Sequence, residues 1–279
     1  MDDVGSGPLT ELDLSHAEYL ESIDFDYAPN LKRLNLNTAN ALTFKSFASG
    51  GYGPINYSWG GITVGELEEL IINADIFNNT KQIQASSSTT VSIFRNTHVK
   101  KLIILDGKTS HKLTTPVYSS NAESGLFDSN SAGIENVIID DGITELGTKS
   151  LYSLDIKSIN LPNTITTIGN EALDDNELTN LTIPASVETI GNAAFIANRL
   201  TSINFESSSK LKAIDSNAFA SNQLTNDGLG KLPSSLTSLA TDAFSSNTNL
   251  TRITLTSPKD LTGWPNGGTV DGKTVTYER

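Results

Sequence analysis

The chain has 279 residues, 37% of them hydrophobic and 18% charged, which is too apolar and too weakly charged for a disordered chain. With 32 acidic against 19 basic residues, its formal net charge of -13 argues against nucleic acid or anionic lipid as a partner, since both need clustered Lys and Arg. The absence of cysteine excludes disulfides and Cys-ligated metal sites.

The first residues, Met1-Asp2-Asp3-Val4-Gly5-Ser6-Gly7, offer neither a basic nor an apolar run, so the sequence reads as lacking a signal peptide. An exported form would then be trimmed. No apolar stretch anywhere is long enough to span a bilayer. Leu9/Leu12/Leu14, Leu20/Ile23/Phe25 and Leu31/Leu34/Leu36 repeat one spacing at 11-residue intervals. Apolar residues two apart point the same way from a short strand, so each triplet predicts one inward-facing rung. Residues 1–66 are expected to form an N-terminal cap with atypical repeats, because the ends of an array must shield its core. Within them, Tyr52, Tyr57 and Trp59 in a Gly-rich stretch are candidates for stacking on a ligand or for packing over a strand face.

Leu67/Leu70/Ile72 and Val99/Leu102/Ile104 continue the skeleton, with starts 36, 32 and 35 residues apart from Leu31 through to Ile134. The surplus lies in polar Gly- and Ser-rich stretches at 48–61, 84–92 and 107–133, expected to leave one edge as loops. Residues 67–133 are therefore read as repeats with long insertions. Between the two core positions stand Ile71, Ile103 and then Ile138, where other repeats place Asn or Thr. Two explanations stand. Either the insertions fold over this row and bury it, or the row docks a partner.

Residues 134–256 are the regular part. Ile134/Val137/Ile139, Ile156/Ile159/Leu161, Leu178/Leu181/Ile183 and Leu200/Ile203/Phe205 start at 22-residue intervals, within the leucine-rich-repeat range of about 20–29. A second apolar group follows in each unit, as in Val187, Ile190, Ala194 and Phe195. Pro184 closes the strand because it cannot donate to a ladder. Gly191 is expected to need positive φ, and Ala193–Phe195 to make a short helical turn that drives Phe195 inward. The same column reads Gly147, Gly169, Gly191, Asp215 and Ala240, so Ala240 predicts a strained or differently shaped turn. Asn176, Asn198, Asn222 and Asn247 share one phase, which predicts an internal ladder satisfying turn backbone rather than a ligand row. The residues turned away from the core are polar: Ser158/Asn160, Asn180/Thr182, Ser202/Asn204 and Arg252/Thr254. Of the outward positions, Asn136, Asn160 and Thr182 join Ile71, Ile103 and Ile138 as candidate binding residues.

The stretch 132–256 resembles the BspA-like leucine-rich repeats, whose unit reads much as N-x-L-T-S-I-x-I-P-x-S-V-x-x-I-G-x-x-A-F here. The match is specific through 154–247 and looser outside. The resemblance implies a bacterial surface or secreted protein that works in adhesion or in host and matrix binding. Periodicity and resemblance together predict one α/β leucine-rich-repeat domain. It would be a right-handed solenoid with parallel strands on its concave face and brief helical or 3₁₀ turns on its convex side. Residues 257–279, with Gly263-Trp264-Pro265 and a Thr- and Val-rich end, are expected to be a C-terminal cap.

Chemistry-bearing signals are sparse. His16, His98 and His111 fit no metal spacing, and the pairs Asp24/Asp26, Asp140/Asp141 and Asp174/Asp175 lack a calcium-loop pattern. Leu161-Pro162-Asn163-Thr164 is the repeat consensus rather than a sorting signal. There is no phosphate loop, nucleophile elbow or His-based triad. The expected function is non-enzymatic, without cofactor or metal: a monomer that meets a protein or glycan outside the cell through its concave face and adjacent loops. A structural spacer displaying another domain is the alternative. A surface-polymer hydrolase ranks last, since only Asp140 and Glu206, in non-adjacent repeats, come near the converging carboxylates it would need.

Overall fold

The structure is a computed structural model. It describes residues 9–17, 30–37, 66–78, 92–94, 97–114, 125–127, 133–256 and 261–278. The chain forms two compact units, Met1–Gly142 and Ile143–Arg279, taken here in turn.

In the first unit the strands are β1 (Glu11–Asp13), β2 (Arg33–Asn35), β3 (Glu66–Leu67), β4 (Glu69–Asn73), β5 (Ser92–Phe94), β6 (His98–Leu105), β7 (Lys112–Leu113), β8 (Gly125–Phe127) and β9 (Ile134–Ile139). A short helix, α1 (Ala74–Asn78), follows β4. The main sheet is parallel and runs β1-β2-β4-β6-β9, with β3 also beside β6. β5 and β8 make a separate parallel pair. Register stacks equivalent residues into columns: Leu12, Leu34, Leu70, Leu102 and Val137 in one, Ile72, Ile104 and Ile139 in the next. All of these except Leu12 are buried. The steps Leu34 to Leu70, Leu70 to Leu102 and Leu102 to Val137 are the 36-, 32- and 35-residue steps of the sequence. Leu20, Ile23 and Phe25 lie outside the described residues. β1 pairs directly with β2, Glu11 opposite Arg33, a step of 22 rather than 11 residues. α1 starts where buried Asn73 accepts the Ile76 N–H at 2.9 Å, and the same amide donates to Asn37 one coil back at 3.1 Å.

In the second unit the strands are β10 (Glu145–Leu146), β11 (Ser158–Asn160), β12 (Thr167–Ile168), β13 (Asn180–Ile183), β14 (Thr189–Ile190), β15 (Ser202–Phe205), β16 (Ala213–Ile214), β17 (Lys231–Leu232), β18 (Ser238–Leu239), β19 (Arg252–Leu255), β20 (Thr269–Val270) and β21 (Lys273–Tyr277). Its helix, α2 (Asn226–Leu229), is one turn long. Each coil has a strand edge, a second edge and a turn edge. β13 pairs β15 in parallel, with Leu181 opposite Ile203 and Ile183 opposite Phe205, so the expected apolar column is in register across these two coils. The second edge is the ladder β10-β12-β14-β16-β18. Along the turn edge, Ala193, Phe195 and Ala197 donate N–H groups to Ser216, Ala218 and Ala220 of the next coil at 2.9, 2.8 and 3.2 Å. Phe195, Phe219 and Phe244 stack inside it at 5.2 and 5.5 Å between centroids, within 7° of parallel.

The asparagine column behaves as predicted. Asn198 donates to Leu173, Phe195 and Ile196 carbonyls and accepts the Leu178 N–H, and Asn222 repeats the pattern against Phe195, Phe219, Ala220 and Leu200. Each amide therefore clamps its own coil to the preceding one. The glycine column has a different cause from the one expected. Gly147, Gly169 and Gly191 do not have positive φ. A Cβ on Gly191 would sit 2.8 Å from Asn170 N and 2.9 Å from the Gly169 carbonyl carbon, so close stacking of coils excludes a side chain there. The left-handed residues lie two and six positions on, at Ala193 (φ 53°) and Ala197 (φ 56°), where they stop the turn from growing into a helix. Nor does Ala240 have positive φ, so its turn carries no left-handed strain.

At the end of the second unit, β20 and β21 form an antiparallel hairpin through Asp271-Gly272, both with positive φ as a tight hairpin turn requires. Trp264 is buried and donates its indole N–H to Leu239 O at 2.9 Å, covering the last core layer.

Candidate functional site

In the first unit, the strand residues facing away from the core form two rows. One runs Asp13, Asn35, Ile71, Ile103 and Ile138 in strict register. The three isoleucines are adjacent, as the sequence predicted, and each is half-buried. The neighbouring row holds Glu11, Arg33, Glu69, Lys101 and Asn136, and its charges alternate. Arg33 reaches Glu11 at 3.1 Å and Glu69 at 2.8 Å, while Lys101 reaches Glu69 at 2.9 Å. Hydrogen bonds from Lys101 and then Arg33 hold the Glu69 carboxyl below the usual carboxylate range. The sequence reading missed this ladder, although its signal was present: the residue just before each inward Leu or Val is Glu11, Arg33, Glu69, Lys101 and Asn136. A third set joins Glu66 to Lys100 at 2.8 Å and to Lys32 at 3.9 Å.

In the second unit the outward face is polar, and one coil breaks it. After Leu200-x-x-Ile203-x-Phe205 builds β15, the next coil places Thr225-Asn226-Asp227-Gly228-Leu229 where a strand would follow, and these residues fold as α2. Thr225 caps the helix by accepting the Gly228 N–H at 3.0 Å. Asn226 ties it down, its side-chain oxygen accepting N–H groups of Thr251 at 2.9 Å and Arg252 at 3.0 Å, and its amide donating to the Thr251 hydroxyl at 2.9 Å. A Cβ on Gly228 would lie 2.0 Å from Thr201 O, so only glycine allows α2 to press this closely on β15. Gly230 (φ 63°) then turns the chain into β17. As a result β15 is an end strand, paired to β13 alone, and α2 stands beside it as a wall.

That wall bounds a groove of about 740 Å³ across β11, β13 and β15. Its floor presents Asn160, Asn180, Thr182, Ser202 and Asn204. Thr182 lies opposite Asn204, and Asn180 opposite Ser202, whose hydroxyl donates to the Asn180 amide oxygen at 2.7 Å. Asp227, Gly230 and Lys231 come from the wall side, and Glu206 from just past β15. Lys231 is ion-paired with Glu278, and Glu206 accepts the Ala185 N–H at 3.0 Å. The predicted residues Asn160 and Thr182 thus share one concavity, whereas Asn136, Ile71, Ile103 and Ile138 belong to the first unit's face. Tyr52, Tyr57 and Trp59 lie outside the described residues, as do Asp24 and Asp26.

Asp140 accepts the Asp106 N–H at 3.1 Å, so this carboxylate and Glu206 both bind backbone. His111 pairs with Asp106 at 2.8 Å and His98 with Glu135 at 3.4 Å. Among the described residues, no cluster of His, Asp and Glu could hold a metal ion, and no helix is long and apolar enough to cross a membrane. Away from the groove, burial and then the Glu171 and Asp175 carboxylates push Asp174 up to about 6.

The repeating coil carries a recognisable signature: residues 120–251 match, in six copies, the model for the BspA type leucine rich repeat region. Residues 120–251 are a BspA-type leucine-rich-repeat region. Solved structures similar to this chain include a leucine rich cell surface protein from Faecalibacterium prausnitzii, at 20% identity and a TM-score of 0.47 over 75% of this chain. The present chain spans 57% of that protein's length. The pneumococcal vaccine antigen PcpA is similar at 17% identity and a TM-score of 0.38, over 96% of this chain and 67% of its own. Nothing among curated proteins matches the sequence. Six BspA-type copies account for the 22-residue coil, and such a family is consistent with binding or adhesion.

Proposed function

We propose that this chain is a non-enzymatic binding module of a bacterial cell-surface or secreted protein, meeting a protein or glycan through the outward strand faces and adjacent loops. The observation that carries the reading is the contrast between the two sides of each strand. Inward side chains are consumed by the core, while the outward rows are laid out in register and interrupted by an anchored wall that creates a groove of about 740 Å³. That volume lies within the usual range for binding sites of about 300–1,000 Å³. The BspA-type region at 120–251 supports an extracellular setting, which is what its resemblance to the BspA-like repeats implies. The described histidines and the carboxylates of Asp140 and Glu206 are engaged with neighbours, which favours binding over hydrolysis.

The test is a glycan and extracellular-matrix protein array probed with the purified chain. Reproducible capture by one class of ligand is expected. Uniform silence across both classes would favour the spacer alternative.

A further inference from the structure

We propose that the groove over β11, β13 and β15 is a subsite for a short neutral glycan. This rests on the binding-module reading and narrows it to one unit and one ligand class.

The chemistry of the floor is the first argument. Asn160, Thr182 and Asn204 are exposed, and the described contacts leave their side-chain donors and acceptors unspent. A planar amide offers a donor and an acceptor side by side, which matches a pair of neighbouring sugar hydroxyls. Parallel strands repeat at about 4.8 Å. Successive rungs therefore present such groups at a spacing close to the length of one pyranose ring.

The second argument is what the floor lacks. Protein-binding hot spots are built on aromatic or Arg anchors in desolvated pockets. Here the outward residues are amides and hydroxyls, and the one ring in the lining, Phe205, is half-buried and offers a limited apolar edge. Charge supplies the third. Glu206 and Asp227 flank the groove, and its one lysine, Lys231, is already paired with Glu278. An anionic sugar or acidic peptide would meet net negative charge without a free cation. Finally, the wall is formed in advance: Gly228 is pressed on Thr201 and Asn226 is held by three hydrogen bonds, so a ligand need not order it.

The experiment is calorimetric titration of the purified full chain with oligosaccharides of glucose, mannose, galactose and N-acetylglucosamine, with sialyllactose and a heparin oligosaccharide as anionic probes. At least one neutral series should bind, more tightly than either anionic probe. Thr182→Val and Asn204→Ala should each weaken that binding about tenfold, the loss expected for an unreplaced hydrogen bond, with no change in melting temperature. Lys212→Ala, which removes an exposed ion pair with Glu188 on the second edge and away from the groove, should leave it intact. Absence of neutral-glycan binding up to millimolar concentrations, tighter anionic binding, or indifference to both groove variants would overturn the proposal. Matrix-protein capture that survives alongside such a failure leaves the binding-module reading standing, and silence toward every probe removes both. Capture of a matrix protein that Asn204→Ala abolishes would make the groove a protein site and also overturn the proposal.

Discussion

Two substitutions six residues apart should shift stability in opposite directions, and opposite to the usual view of glycine as the weak point of a fold. Gly191→Ala adds a methyl carbon 2.8 Å from Asn170 N and 2.9 Å from the Gly169 carbonyl carbon. Both atoms are main chain of the preceding coil, which is itself hydrogen-bonded to this one through Gly191 N and Ile168 O at 2.8 Å. Relief requires the coils to part, so the cost should resemble overpacking of a core, about 1–3 kcal/mol. Ala197→Gly acts the other way. Ala197 is exposed with φ 56°, a region that costs a non-glycine residue about 1–2 kcal/mol, while the extra unfolded-state entropy of glycine returns about 0.5–1 kcal/mol. The net gain should be about 0.5–1 kcal/mol. Guanidinium or urea melts of the two variants beside the parent chain measure both, with the m-value checked for loss of two-state behaviour. A neutral Gly191→Ala would refute tight stacking at the column, and a destabilised Ala197→Gly would refute strain at the left-handed position.

Other outcomes follow from the same geometry. Phe219→Ala empties the middle of a three-ring stack and should cost about 3–5 kcal/mol by denaturant melt, more than Phe244→Ala, whose ring stacks on one neighbour among the described residues. Asn222→Ala leaves the buried Leu200 N–H without its acceptor and should cost about 1–3 kcal/mol, visible also as faster amide exchange in the two coils it clamps. Asp174 has a folded-state value raised to about 6 against 3.8, so the folded chain binds its proton more tightly than the unfolded chain does. Its contribution to stability is full below pH 4 and is lost as pH rises through 6. Asp174→Asn should therefore stabilise the chain at pH 7 and change little at pH 4; equal effects at both would count against the assignment. Ile103→Asp places a charge in a half-buried aliphatic row and should lower the melting temperature, lose a ligand, or both. A variant unchanged in melting and in array binding would discard that row as a site.

Much of the architecture was legible in one dimension because the repeat is local. Leu-x-x-Leu-x-Ile names the inward side of each rung, and the 36-, 32- and 35-residue steps marked by Leu34, Leu70, Leu102 and Val137 are the register of the first sheet. The asparagine column was equally readable, since four residues at one phase of a tight turn have a structural use for every polar atom. The reason for the glycine column was not. A sequence shows that Gly169 and Gly191 are small, but whether they serve φ or stacking depends on the distance to a coil 22 residues away.

The groove divides along the same line. Its polar floor could be predicted from alternation in Asn180-Leu181-Thr182-Ile183, where side chains must take opposite faces of a strand. Its wall could not, because Thr225–Leu229 keeps the apolar residues of a rung while Gly228 and the contacts of Asn226 decide that it folds as a helix against β15. Likewise Glu11, Arg33, Glu69 and Lys101 form a charge ladder only when register brings residues 22 to 36 positions apart to salt-bridge distance. Which residues are buried follows from the period of the chain itself. Which outward residues meet one another is decided by stacking, since that contact exists only between coils.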